Sequence, residues 1–242
     1  MPQVFPERKG MSEQELIKLM ILSSIPVRHL DDNNRPDAHA SGTIVNYRGK
    51  NFFLTVTHVV EEENWVFEYR FDFSRNGMIV QPLPNINFIV LRGNISVPFK
   101  IEEVDFAWIA INPELQPYYP VADSNFKIIG EVPRIINNID ECIRIEKVKK
   151  YGFASMTCND LIGSNLNEFQ QTVFPMEYLY DEDGFKVFGF EPKQTEEFYF
   201  EASSGAPIID SEGKLVGLIS GGKLSEKLIY GVSIEEYKEL LK

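Results

Sequence analysis

From Ile25 to about Phe126 the sequence alternates short apolar runs with turns such as Arg48-Gly49-Lys50, Asn76-Gly77 and Arg92-Gly93-Asn94. Each turn reverses the chain after one strand's length, which is the rhythm of antiparallel strands curling into a β-barrel. With 242 residues, 43% of them hydrophobic, the chain can bury a substantial core. An all-β chain of this length can be one unit, with room for two barrels. Val121-Ala122-Asp123-Ser124-Asn125-Phe126 reads as the crossover between them, and Val148-Lys149-Lys150-Tyr151-Gly152-Phe153 as an early strand of the second. Thr157 to Gln171 is polar and turn-rich, which predicts a surface loop. Val173 to Phe200 contains the hairpin signal Asp181-Glu182-Asp183-Gly184 among aromatic strand residues.

Helices are expected only at the ends. Ser12-Glu13-Gln14-Glu15 opens with a capping box followed by helix-period apolar positions through Leu22, and Ser233-Ile234-Glu235-Glu236 opens a C-terminal helix in the same way. The expected organisation is an N-terminal helical extension over 1–24, a first barrel over 25–126, and a second barrel with the terminal helix over 127–242. The apolar face of the first helix has two uses open to it, packing on the barrel or docking a regulatory protein partner.

One turn stands out chemically. Glu201-Ala202-Ser203-Ser204-Gly205-Ala206-Pro207-Ile208-Ile209 sets a Ser in a small-residue turn directly before an apolar run. Asp210-Ser211-Glu212-Gly213 then leads into Lys214–Gly222, so two strands read as a hairpin behind that Ser. A lone hydroxyl is a weak nucleophile at neutral pH, so a catalytic Ser204 needs a base and a group to orient that base. His58 ends the second strand of the strand-turn-strand unit Gly42–Val60. Asp105 heads an otherwise apolar strand, Glu103–Ile111. Burying a polar group unpaired costs roughly 2–7 kcal/mol, and a charge more, so Asp105 requires a partner. Singly, each residue has an ordinary alternative. A Ser-Ser-Gly segment is common turn chemistry, a strand-end His is often structural, and a strand-leading Asp often caps a turn. The other histidines, His29 and His39, flank the turn-rich segment 31–37 and read as polar surface.

In the order His, Asp, Ser, these segments resemble the trypsin-like (chymotrypsin-fold) serine peptidases. Thr57-His58 is similar to the family's Ala-Ala-His-Cys region, Val104-Asp105-Phe106-Ala107-Trp108-Ile109 to its Asp-Ile-Ala-Leu strand, and Ala202-Ser203-Ser204-Gly205-Ala206-Pro207 to its Gly-Asp-Ser-Gly-Gly-Pro. The order separates them from subtilisin-like and hydrolase-fold enzymes, which arrange the same three residues differently. Over about residues 40 to 235 the resemblance implies an all-β fold of two six-stranded antiparallel β-barrels with short N- and C-terminal helices. It implies Ser204 as nucleophile, His58 as proton carrier and Asp105 as the group that orients the imidazole. The backbone N–H groups of Ala202 and Ser204 become the oxyanion hole, and Ser220, Gly221 and Gly222 become the strand that pairs with substrate backbone. Phe198, six residues before Ser204, falls at the base of the primary pocket. Phe in place of an acid there implies no strong preference for Arg or Lys, and Gly221 and Gly222, which keep the pocket walls open, imply a medium or large apolar side chain.

Two departures carry their own implications. Ser203 replaces the family's acid, which removes activation through an ion pair with a newly cut amino terminus. Ala202 replaces its first Gly, a residue more tolerant of unusual backbone geometry. The expected function is a serine endopeptidase of restricted substrate range acting on polypeptides. The alternative that Ala202 favours is a pseudo-peptidase serving as a peptide or protein binding module.

Composition narrows the rest. A net charge of −12 disfavours nucleic acid and anionic membrane as partners. Glu61-Glu62-Glu63 and Asp181-Glu182-Asp183 lack the spacing of a Ca²⁺ loop, and neither a metal nor a cofactor is expected. Met1–Gly10 is polar and broken by Pro, without the apolar core of a signal peptide, and no run of about 18 apolar residues could span a membrane. A cytoplasmic protein is expected. Its two cysteines, Cys142 and Cys158, then read as reduced packing residues.

Overall fold

The turns that punctuate the sequence adopt the shapes their strands require. Arg48 and Gly49 have φ of 51° and 77°, and Asp183 and Gly184 have 48° and 93°. Two successive positive φ values make the primed two-residue turn, whose twist matches that of the flanking strands. These turns close hairpins at Tyr47↔Lys50 and Glu182↔Phe185. A computed structural model of the protein describes residues 11–61, 63–93, 101–141, 143–162, 165–191 and 202–242. Cys142 lies outside them.

Helix α1 (Glu13–Ser23) starts at the expected capping box, the Ser12 hydroxyl accepting from Glu15 N–H while the Glu15 carboxylate accepts from Ser12 N–H. Leu16 and Met20, one turn apart, share a buried face. That face packs within this chain, mainly against the second half. Among the described residues no helix is long and apolar enough to cross a membrane.

Seven strands follow: β1 (Ile25–Leu30), β2 (Pro36–Tyr47), β3 (Lys50–Thr55), β4 (Trp65–Asp72), β5 (Gly77–Pro82), β6 (Asn87–Gly93) and β7 (Ile101–Ile111). They pair antiparallel in the spatial order β5-β4-β1-β2-β3-β7-β6. Strand β3 sits mid-sheet, and every residue from Asn51 to Thr55 is buried. Phe53 stacks on Phe67 across the interior at 5.0 Å. Next come β8 (Tyr118–Ala122) and β9 (Ile128–Pro133), which form their own hairpin, and β10 (Asn137–Asn138), which adds parallel to β2 as the eighth strand of the large sheet. Val121–Phe126, expected as a crossover, is therefore the tip of the β8–β9 hairpin, closed by Asp123 N–H to the Lys127 carbonyl at 2.9 Å. The chain passes to the second half after β10.

That half is a closed six-stranded barrel in the order β11-β12-β13-β16-β15-β14. Its strands are β11 (Lys150–Ile162), β12 (Asn165–Glu182), β13 (Phe185–Phe190), β14 (Pro207–Asp210), β15 (Leu215–Lys223) and β16 (Leu228–Ser233). Tyr151, Phe153, Met176, Phe188, Ile208 and Ile229 fill it, all at 0% exposure. Within Thr157–Gln171, expected as a loop, residues 157–162 and 165–171 instead continue the β11–β12 ribbon, with pairs from Thr157↔Phe169 to Ile162↔Asn165. Main-chain pairing makes these strands without an apolar period, so a polar composition could not reveal them.

The C-terminus is less regular than its sequence implies. Helix α2 (Ile234–Tyr237) lasts one turn and passes into a 3₁₀ turn over Lys238–Leu240. Ser233 makes no side-chain cap, and Glu236 pairs instead with Lys186 at 2.9 Å. Tyr237 stacks on Phe106 of β7 at 5.3 Å. Together with Leu16 and Met20 of α1, this joins the two halves in one apolar cluster and fixes the cleft walls. His29 also departs from its surface reading: its ring lies 5.4 Å from that of Trp65 and its Nδ1 is 2.5 Å from Asp37.

Candidate active site

Strand β3 ends at Thr55, and the chain turns through one 3₁₀ turn, Thr57–Val59. Thr57 is 2% exposed and anchors that turn, its hydroxyl 3.2 Å from the carbonyls of both Ile89 and Phe106. The anchor leaves His58 projecting from the first half. On β7, alternation buries Val104 and Phe106 and turns Asp105 to the opposite face. Asp105 thereby meets His58. Its Oδ1 accepts the backbone N–H of His58 at 3.1 Å and its Oδ2 lies 2.7 Å from Nδ1. The partner that burial demanded is present twice over.

A third donor comes from the other half. The Ser220 hydroxyl, on β15, donates to Asp105 Oδ2 at 2.5 Å. Burial by itself would raise the pKa of Asp105, but the bonds from His58 and Ser220 outweigh it and hold the carboxyl below its ordinary value. The same contact raises His58: the bond to Asp105 favours the imidazolium, burial opposes it, and Glu61 adds a weaker pull upward. With a carboxylate at Nδ1, that nitrogen carries the ring proton, and Nε2 is left as an acceptor. It lies 2.9 Å from the Ser204 hydroxyl.

The turn that carries Ser204 is tied to both halves. Ala206 N–H donates to the Ser203 carbonyl at 2.9 Å around a turn in which Gly205 has φ of 84°, the left-handed position that such a turn reserves for Gly. Gly205 N–H reaches the Ile219 carbonyl at 2.7 Å, docking the turn on β15. From β2, Ser41 N–H donates to the Ser204 carbonyl and the Ser41 hydroxyl to the Ala202 carbonyl, both at 2.8 Å. The Thr55 hydroxyl in turn holds the Ser41 carbonyl at 2.8 Å. Ser203 lies 2.8 Å, hydroxyl to hydroxyl, from Ser155 of β11. The N–H groups of Ala202 and Ser204 have no acceptor among the described residues.

Five of the expected site residues thus share one locus: His58, Asp105, Ser204, Ala202 and Ser220. Ser220 turns its hydroxyl to Asp105 as well as lying on the strand assigned to substrate. Beyond Leu218, β15 pairs only with β16, so the Ser220–Gly222 edge is open on its other side among the described residues. A Cβ on Gly221 would meet nothing within 4 Å. Phe198 lies outside the described residues. Sequence reading missed Ser41, Thr55 and Ser155, because a buried Ser or Thr in a strand carries no signal until its cross-sheet partner is known.

Two barrel-like halves meeting at a cleft, with His and Asp on one wall and Ser on the other, define the chymotrypsin-type double-barrel fold. Solved structures place the chain in that class. A serine endoprotease from Yersinia pestis superposes with a TM-score of 0.54 at 14% identity, over 97% of this chain and 66% of its own. The Rv3671c protease of M. tuberculosis in its active form gives 0.52 at 13% identity, over 100% and 92%. A catalytically active tobacco etch virus protease complexed with product gives 0.51 at 13% identity, over 100% and 86%. The chain spans just under two thirds of the Yersinia protein's length. Neither a protein-family model nor a curated protein matches the sequence. The fold is one that proteases carry.

Proposed function

We propose that the protein is a serine endopeptidase of the trypsin-like type. The observation that carries this reading is the unbroken chain Asp105–His58–Ser204, at 2.7 and 2.9 Å, beside two backbone N–H groups without acceptors. A peptide adds along the open edge at Ser220–Gly222, its backbone supplying the hydrogen bonds and its side chains the selectivity. Ser204 Oγ attacks the scissile carbonyl carbon while its proton passes to His58 Nε2, and the charge on the carbonyl oxygen falls to the Ala202 and Ser204 N–H groups. The tetrahedral adduct collapses, the C–N bond breaks, and the amine leaves with the proton from His58. Water, deprotonated by the same nitrogen, then hydrolyses the acyl-Ser204 ester. Asp105 keeps the imidazole in its accepting tautomer and stabilises the imidazolium, the interaction that raises the pKa of His58.

A restricted substrate range is part of this reading, and a cytoplasmic site of action agrees with the low cysteine count. Labelling with a fluorophosphonate probe tests the chemistry. The wild type should form a Ser204 adduct that Ser204→Ala and His58→Ala abolish. A folded wild type that takes no label would overturn the peptidase reading and leave the binding module that Ala202 favours.

A further inference from the structure

We infer, resting on the serine-peptidase reading above, that Ser155 and Ser203 are positioning residues: a neutral, buried hydroxyl pair that holds the oxyanion turn in its working shape. Both residues are 0% exposed, and their oxygens are 2.8 Å apart. Among the described residues each hydroxyl has only the other as its side-chain partner. Ser155 belongs to β11, a wall of the closed barrel. Ser203 is the residue between the two whose N–H groups are without acceptors. A rotation of the Ser203 backbone would swing the 202–203 peptide, which carries the Ala202 carbonyl that Ser41 holds, and the 203–204 peptide, which carries the Ser204 N–H donor.

Ser41 already fixes the outward carbonyls of Ala202 and Ser204 from the first half. From the second half the Gly205 N–H bond to Ile219 docks the end of the turn, and the Ser155–Ser203 bond restrains the residue between the two donors. The position that resembles an activating acid in the trypsin-like family carries here a group that neither titrates near neutrality nor needs a cation. The turn is therefore set as the barrel folds, without an ion pair and without dependence on pH.

The test is the plateau rate of fluorophosphonate labelling, and its pH midpoint, in the wild type, Ser155→Ala, Ser203→Ala and the double variant. Misplaced oxyanion donors cost rate steeply, so each single variant should lose roughly 10- to 100-fold. The double variant should lose no more than the worse single, since each hydroxyl acts through the other. The pH midpoint, set by His58, should not move. Ser203→Cys, which keeps a weak donor, should fall between wild type and Ser203→Ala. Should Ser203→Ala fail to fold, Ser155→Ala reads the same bond from the barrel strand. Folded variants that label within about twofold of a reactive wild type, or a double variant whose losses multiply, overturn this inference alone. A pH midpoint that shifts with the rate also overturns it, by showing that the damage reached His58. An unreactive wild type overturns the peptidase reading itself.

Discussion

Gly205→Ala probes how tightly the Ser204 turn is built, because the structure denies a methyl group both space and backbone conformation there. Gly205 has φ of 84°, and a Cβ would lie closer than 3.0 Å to the Ser41 carbonyl oxygen and to Thr55 Oγ1. The left-handed backbone costs an L-residue about 1–2 kcal/mol. The steric conflict is with backbone on β2, so relief requires the turn and Ser41 to separate. That movement breaks Ser41 N–H to Ser204, Ser41 Oγ to Ala202 and Thr55 Oγ1 to Ser41. At about 1 kcal/mol net for each bond, the whole loss is about 4–5 kcal/mol. For a chain of this size 1 kcal/mol moves the melting temperature by about 2–4 °C, which predicts a drop of about 8–20 °C by scanning calorimetry. The internal control is Gly221→Ala on β15, where a Cβ meets nothing within 4 Å and the change should stay within about 0.5 kcal/mol. A Gly205→Ala protein that melts within about 3 °C of wild type would refute the reasoning, since it would mean the turn is not clamped against β2.

Fluorophosphonate labelling should rise with pH as His58 loses its proton, with a midpoint above the ordinary 6.5 because Asp105 stabilises the imidazolium. In Asp105→Asn that carboxylate is gone and burial dominates, so the midpoint should move to lower pH while the plateau falls roughly 10⁴-fold; a midpoint that stays or rises would refute the assignment. Met20→Ala deletes a side chain at 0% exposure where α1 meets the second half. Urea unfolding should show a loss of about 2–5 kcal/mol, and a loss below about 1 kcal/mol would mean the helix is an appendage rather than part of the core.

The proposed triad was legible as a candidate because its three side chains each sit in a short segment with a local signature. Thr57-His58 closes a strand, Asp105 interrupts an apolar one, and Ser204 lies in a small-residue turn. The β rhythm and the hairpin turns at Arg48-Gly49 and Asp183-Gly184 were legible for the same reason, since a positive φ is a local demand on residue type. The reading failed where the deciding interaction was not local. Thr157–Gln171 looked like loop because its strands are defined by pairing with each other. Val121–Phe126 looked like a crossover because nothing in its residues says that β8 returns along β9. The capping box at Ser233 did not form because Glu236 found Lys186, a residue far away along the chain.

The sequence by itself thus determined the fold class, the candidates for the proposed triad and the positive-φ turns, all of which depend on runs of a few residues. Only the tertiary structure decided that the Ser204 turn is held by Ser41 from one half and Ser155 from the other, and that Ser220 reaches across to Asp105. A hydroxyl specifies that it will bond but not to whom. The partner is chosen by the packing of the two halves against each other, and that packing sums over the whole chain.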